Sequence, residues 1–279
     1  MSLLPVVFLA GRLLVAQFLV FGAGSSWLIL NDRGDVHRVI AAFPPGIPPQ
    51  VREVAVSPDG TRVAVTALLP SAQNVMLFLW SLDSDSVSQI GDAVGFHAAP
   101  TFSRDGRRIV FAHHPRKGGP PGAHEEGSFA QLYEQDLQTL ELKALTASRG
   151  CHMSSAEGTG RLYFAHANCV GGRRIEVLEG GTERALTDFG DHHDQPSLSP
   201  DGKTLVFTRE RDDDIELQAL SLKKPGAKPK RLWIGPRKGV RFSPQYLRDG
   251  TLLFQNGEAV FALVAGVATP RWDFGGGRK

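Results

Sequence analysis

Hydrophobic positions come in runs of four to eight residues, many alternating with polar ones, and short stretches rich in Gly, Pro and Asp separate them. This is the pattern of β-strands and tight turns. The clearest instance is Pro196-Ser197-Leu198-Ser199-Pro200-Asp201-Gly202-Lys203-Thr204-Leu205-Val206-Phe207. Its proline presets the first central turn position, aspartate tolerates the second, and glycine takes the left-handed exit, so two antiparallel strands meet there. The same device recurs at Ser57-Pro58-Asp59-Gly60 before Val63-Ala64-Val65, and at Ser103-Arg104-Asp105-Gly106 before Ile109-Val110-Phe111. Looser copies place Gly160 before Leu162-Tyr163-Phe164, Gly250 before Leu252-Leu253-Phe254, and Gly11 before Leu13-Leu14-Val15. From Gly11 onward these glycines lie 49, 46, 54, 42 and 48 residues apart, a period that marks stacked supersecondary units.

Each unit reads as four strands, two around the glycine turn and two after a variable loop. The third strands fall at 27–30, 75–80, 132–137, 175–178, 215–220 and 260–264, and turns such as Glu179-Gly180-Gly181 lead into the fourth. Closing six such units in a ring buries every sheet, which predicts an all-β fold, a six-bladed β-propeller of four-stranded antiparallel blades. One domain then spans residues 1–279, with blades at 5–43, 51–92, 97–147, 151–188, 193–235 and 239–274. In the first blade, 5–10 and 12–20 are expected as the first two strands. The rival reading of this apolar stretch is a signal segment ending near Ala23-Gly24-Ser25; Arg12, Gly22 and Gly24 argue against a membrane span.

The Ser-Pro-Asp-Gly turn, the Leu-x-Phe strand after it, an Ile-x-Leu strand and the Arg184-Ala185-Leu186-Thr187 ending together resemble the TolB-type propeller repeat. The resemblance covers nearly the whole chain. It is strongest at 54–65, 100–111 and 196–208 and weakest in the fourth unit, where Ser155-Ala156-Glu157-Gly158 lacks Pro and Asp. It implies the fold but not one function, since binding proteins, peptidase-associated domains and polysaccharide lyases share it. It also implies an extracytoplasmic or periplasmic location, the alternative being cytoplasmic. No Gly-x-Ser-x-Gly elbow is present, which argues against an attached serine hydrolase.

Composition adds little, with 42% hydrophobic residues, 22% charged residues and a net charge of +2. That balance gives no electrostatic case for nucleic acid. The densest basic stretch, Lys223, Lys224, Lys228, Lys230 and Arg231, alternates with Pro and Gly and reads as a solvated turn. Two polar loops interrupt the repeat, the Gly- and Pro-rich 115–127 and the charged 209–214. The latter lacks the alternating oxygen ligands and glycine of a calcium loop.

Candidate chemistry concentrates in histidine. His97, His152, His192 and His193 fall between one unit and the next, and His113, His114, His124 and His166 fall at or after the ends of second strands; only His37 lies elsewhere. Both kinds of connection emerge on one face of a propeller. His97 and His193 each stand eight residues before a turn aspartate, and His152 holds nearly the same place, so the three are expected to ring the channel mouth. Three imidazoles with an open position suit a divalent transition metal, zinc or manganese. Asp194 and Gln195 are additional ligand-binding candidates. The resemblance also implies a metal precedent, since some lyases with TolB-like blades hold a metal through His and Gln, as His193 and Gln195 would. His113, His166 and Glu125 are the acid–base candidates. The rival reading is that these histidines only cap backbone groups. Cys151 and Cys169 flank the hairpin of the fourth unit and admit three readings: a disulfide, a soft metal site with His152 and His166, or two free thiols.

Two functions remain open on the sequence, so whether the chain is an enzyme is undecided. In the first, a monomeric binding or scaffold module engages a protein segment or glycan on its His-rich face, with no nucleic acid and no cofactor. In the second, a metal-dependent polysaccharide lyase or hydrolase uses a His-held cation at the channel mouth.

Overall fold

A computed structural model describes residues 18–23, 26–69, 74–92, 95–114, 129–168, 171–238 and 242–274. Among the described residues the fold is all-β apart from one 3-10 turn at Phe189–Asp191. A three-stranded sheet comes first: β1 (Leu19–Ala23), β2 (Ser26–Leu30) and β3 (Val36–Ile40). Next are β4 (Gln50–Val56), β5 (Arg62–Leu69), β6 (Asn74–Ser81) and β7 (Val87–Ile90), then β8 (Phe96–Phe102), β9 (Arg108–His114), β10 (Gln131–Asp136) and β11 (Leu142–Ala144). A single parallel bridge, Val75 to Phe96, ties these two meanders together. Three more four-stranded meanders follow: β12 (Cys151–Gly158) with β13 (Arg161–Ala167), β14 (Arg173–Glu179) and β15 (Thr182–Ala185); β16 (His193–Leu198) with β17 (Thr204–Arg211), β18 (Asp214–Ser221) and β19 (Lys230–Pro236); and β20 (Gln245–Tyr246) with β21 (Leu252–Asn256), β22 (Ala259–Val264) and β23 (Val267–Asp273). The result is a β-propeller of four-stranded antiparallel blades. Among the described residues no helix is long and apolar enough to cross a membrane.

The recurring turn explains its own sequence. In all three full copies the glycine amide bonds back to the serine carbonyl at 2.8–2.9 Å, with the glycine at φ +75°, +69° or +70°. The serine hydroxyl donates to the aspartate (Ser57 to Asp59 and Ser103 to Asp105 at 2.5 Å, Ser199 to Asp201 at 2.8 Å) and accepts the amide five residues on. The aspartate accepts the amide two residues on. Ser, Asp and Gly are thus each required by one bond or one dihedral.

Second strands such as Val63-Ala64-Val65 and Leu205-Val206-Phe207 are buried on both faces, since a sheet packs on either side. Apolar clusters lie between consecutive sheets; one joins Tyr163, Ala165, Ile175 and Val177 to Leu205, Phe207 and Leu220. Another joins the first sheet to the last, through Leu19, Phe21, Leu28 and Leu30 against Leu247, Leu253, Val260 and Ala262. At that junction Gln245 bonds the amide and carbonyl of Val20 at 3.0 and 2.8 Å, and Gln255 does the same to Gly22 at 3.1 and 2.7 Å. Two carboxamides therefore occupy the edge of β1 that faces away from β2.

Two expectations are corrected. Of the strand expected at 12–20, the described part is shifted to Leu19–Ala23, because its hairpin with β2 sets the register Leu19 to Leu30; 5–10 and 12–17 lie outside the described residues. The charged stretch 209–214 is no loop. Arg209–Arg211 continue β17, and Asp212 at φ +42° makes a two-residue turn with Asp213.

Candidate functional site

One cross-strand row at the end opposite the Ser-Pro-Asp-Gly turns changes character around the ring. In the second sheet it is Val51, Ala67 and Met76, all apolar. The third sheet has His97, His113 and Gln131 in the same places. The fourth has His152, His166 and Arg174, and the fifth His193, Arg209 and Glu216. The sequence-predicted histidines do head three successive first strands, but they point into the layers between strands. His97, His113, His152, His166 and His193 are all buried.

In the third sheet His97 and His113 stack at 4.6 Å, and His97 Nδ1 lies 2.8 Å from the Val75 carbonyl of the preceding sheet, which fixes the proton on that nitrogen. Burial, with His113 beside it, pushes the His97 imidazole down to about 4. His152 repeats the pattern. It stacks on His166 at 4.5 Å, its Nδ1 lies 3.1 Å from the Ala130 carbonyl, and burial holds its basicity below the usual imidazole range. These two histidines latch one sheet to the next.

The fourth sheet adds charge. His166 Nδ1 lies 3.0 Å from Glu176, and Arg174 Nε donates to the same carboxylate at 2.6 Å while stacking over Phe189 at 4.0 Å. Burial works against both charged forms, but their partnership wins: Glu176 is held below the ordinary carboxylate range and His166 above the ordinary imidazole range. His166 Nε2 donates to the Arg149 carbonyl at 2.9 Å. Gly150, at φ +131°, is needed there because a Cβ would lie 2.6 Å from the Ala167 carbonyl. In the fifth sheet buried Glu216 accepts from Gln218 at 2.7 Å and lies 3.5 Å from each of Arg209, Arg211 and Arg231, while Arg209 also pairs with Asp191.

Among the described residues, one group of three donors comes within 4.8 Å of one another: His152, His166 and Glu176. The expected trio of His97, His152 and His193 is not gathered: His97 and His152 are bonded to the preceding sheet, and His193 packs edge-on against Phe207 of its own sheet. The gathered trio does not fit a cation well. Its imidazoles lie face to face with planes 25° apart, so their in-plane lone pairs run side by side, and Arg174 and His166 already neutralise Glu176. A serine also stands near His152, with Ser148 Oγ 3.0 Å from Nε2, but the hydroxyl lies 2.5 Å from Glu183. Because His152 Nδ1 faces Ala130 rather than a carboxylate, this is not the geometry of a nucleophilic triad.

The remaining candidates are placed as follows. Asp194 accepts from Ser154 at 2.5 Å and Arg173 at 2.7 Å, and Gln195, at φ +52°, accepts the amides of Ser243 and Phe242 at 2.6 and 3.3 Å. Both hold neighbouring sheets together. His192 is exposed after the 3-10 turn. Glu125, Cys169 and the 115–127 loop lie outside the described residues, and the disulfide reading with them; Cys151 stands opposite Ala167. The sequence reading missed Arg174, Glu176, Glu183, Arg209 and Glu216. For Arg174, Glu176, Arg209 and Glu216 the signal was polarity at third- and second-strand positions where the second sheet carries Met76, Phe78 and Ala67; Glu183, on the fourth strand β15, had no such signal.

Comparison with the solved structures finds a protein assigned as TolB from Agrobacterium tumefaciens, at TM-score 0.63 and 16% identity over 84% of this chain and 83% of that one. TolB from Acinetobacter baumannii gives TM-score 0.65 and 16% identity over 92% of this chain but 64% of that one, so the chain spans less than two thirds of its length. Oligogalacturonate lyase from Vibrio parahaemolyticus gives TM-score 0.59 and 13% identity over 92% of this chain and 74% of that one. At these identities the likeness shows the fold alone. Comparison with the curated proteins gives no match. The profile of the TolB beta propeller domain matches residues 52–232, more than half of the sequence, and the chain therefore belongs to the TolB β-propeller domain family.

Proposed function

We propose that the chain is a binding propeller whose channel-end face, built on the third to fifth sheets, engages a segment of a partner protein. The single observation that carries this reading is that the polar row is internally committed. His97, His152, His166, Glu176 and Glu216 are buried and bonded to protein groups, which makes a stiff platform rather than a set of free acids and bases. On the rim stand exposed charges of both signs, Arg149, Asp188, Arg211, Asp213 and Arg237, beside the exposed His192. A mixed rim suits a polypeptide better than a uniformly anionic glycan. In the same proposal the ring closes with six blades, the packing of first sheet against last being its support, and the protein works outside the cytoplasm, the location that membership of the TolB propeller family favours.

The test is site-specific photo-crosslinking in the source cells. A photoreactive residue at Arg211 or His192 is expected to give one discrete adduct, lost in the Arg149→Glu/Arg237→Glu double variant, and one at Asp201 on the opposite end to give none. Equal adducts from both ends would sink the proposal. So would a stoichiometric tightly held metal together with cleavage of a uronate polymer, which would establish the lyase instead.

A further inference from the structure

We propose a second docking surface, independent of the channel face: the outer edge of β19, to which an extended acidic peptide adds as a further strand. β19 pairs with β18 on one side and, among the described residues, with no strand on the other. An edge of this kind presents a row of amides and carbonyls ready for an added strand.

Its surroundings select the ligand. Residues 223–238 contain seven Lys and Arg and no Asp or Glu, although the whole chain has a net charge of only +2. Lys223, Lys224, Lys228, Lys230 and Lys238 are exposed and make no ion pair among the described residues, while Arg231 and Arg237 reach Glu216 and Glu210 at 3.5 and 3.3 Å. An open groove of about 490 Å³ runs between β19 and the turn joining β22 to β23, lined by Leu232, Trp233, Ile234, Gly266, Val267 and Ala268. Ile234, Val264 and Val267 are 41%, 59% and 65% exposed, three of the eight large apolar side chains that the described residues expose. Along an added strand, alternate side chains face opposite ways. One set enters this groove beside the exposed Ile234 and Val267, and the other meets the lysines.

Lysine and proline on an edge strand also serve to repel aggregation, and Pro236 and the irregular register at Leu232 fit that role. Protection alone does not account for the distribution, since edge strand β7 carries no charge and β15 carries one of each sign. Seven like charges disfavour a second copy of this chain at the edge. A flat bilayer does not bond a strand edge at the side of a groove.

The probe is a fluorescent peptide of about nine residues alternating valine and aspartate, followed by anisotropy at low and moderate salt. Controls are the same peptide with a central proline, one with lysine for aspartate, and vesicles containing anionic phospholipid. The alternating peptide is expected to bind, more weakly at higher salt, and the proline and lysine peptides to bind at least about tenfold less well. Lys228→Glu/Lys230→Glu, at exposed positions, should weaken binding about tenfold with an unchanged melting curve, and Val267→Asp should weaken it too. No binding, equal binding of the proline peptide, or binding to vesicles without any to the peptide would overturn the proposal.

Discussion

Replacing Glu176 by glutamine separates a structural ion pair from a metal seat. The carboxylate is buried, lies 3.0 Å from His166 Nδ1 and accepts from Arg174 at 2.6 Å. A hydrogen bond to a charged group contributes about 1.5–3 kcal/mol against about 1 kcal/mol for a neutral one. Two such bonds weakened, with Arg174 keeping its stack on Phe189 and some water, put the cost at about 2–3 kcal/mol. For a chain of this size that is a fall in melting temperature of about 3–6 °C. The pH dependence carries the sign. Glu176 is depressed, so its contribution is present above the ordinary value of 4.5 and is lost as pH falls through its lower folded value. His166 is raised, so its contribution is full below 6.5 and is lost as pH rises through its higher folded value. Calorimetry of parent and Glu176→Gln should therefore show the widest gap between about pH 5 and 6, narrowing toward alkaline pH. A gap that is constant with pH, or a parent destabilised equally by a chelator, would refute the ion-pair reasoning.

Three further outcomes are expected. His97 titrates at about 4 when folded and 6.5 when free, so the unfolded chain takes up the proton first and stability drops as pH falls; the amount is about 3 kcal/mol between neutral pH and pH 4. His97→Gln, whose amide still reaches Val75, should show a smaller shift in urea midpoint over that range. Gln255→Ala removes both bonds to Gly22 and should cost about 2–4 kcal/mol by chemical denaturation; a change within error would mean that apolar packing alone closes the ring. Gly202 sits at φ +70° with open space around it, so Gly202→Val should cost about 1–2 kcal/mol from backbone strain alone, read as a lower melting temperature.

What was legible in the sequence was what repeats. Ser-Pro-Asp-Gly located the hairpins because each of its atoms has a local partner within five residues, so the signal is complete in a short window. The histidine positions were also legible as positions, since His97, His152 and His193 occupy one register. Their roles were not. Whether His97 faces a channel or the Val75 carbonyl depends on the preceding sheet, 22 residues away along the chain, and on how tightly the sheets pack. The pairing of Glu176 and Glu216 gave no sequence signal of its own, because His166 and the arginines around Glu216 come from adjacent strands. Gln195 looked like a ligand because only the placement of Ser243 reveals that it is already engaged.

Gln245 and Gln255 make the junction of first and last sheets unlike the others. The chain itself runs through every other junction, whereas here, among the described residues, four side-chain hydrogen bonds and an apolar cluster do the joining. The molecule is in this sense a split washer rather than a welded one. Tension applied across this junction is borne by those four hydrogen bonds and the apolar cluster alone, with no covalent link among the described residues to share it.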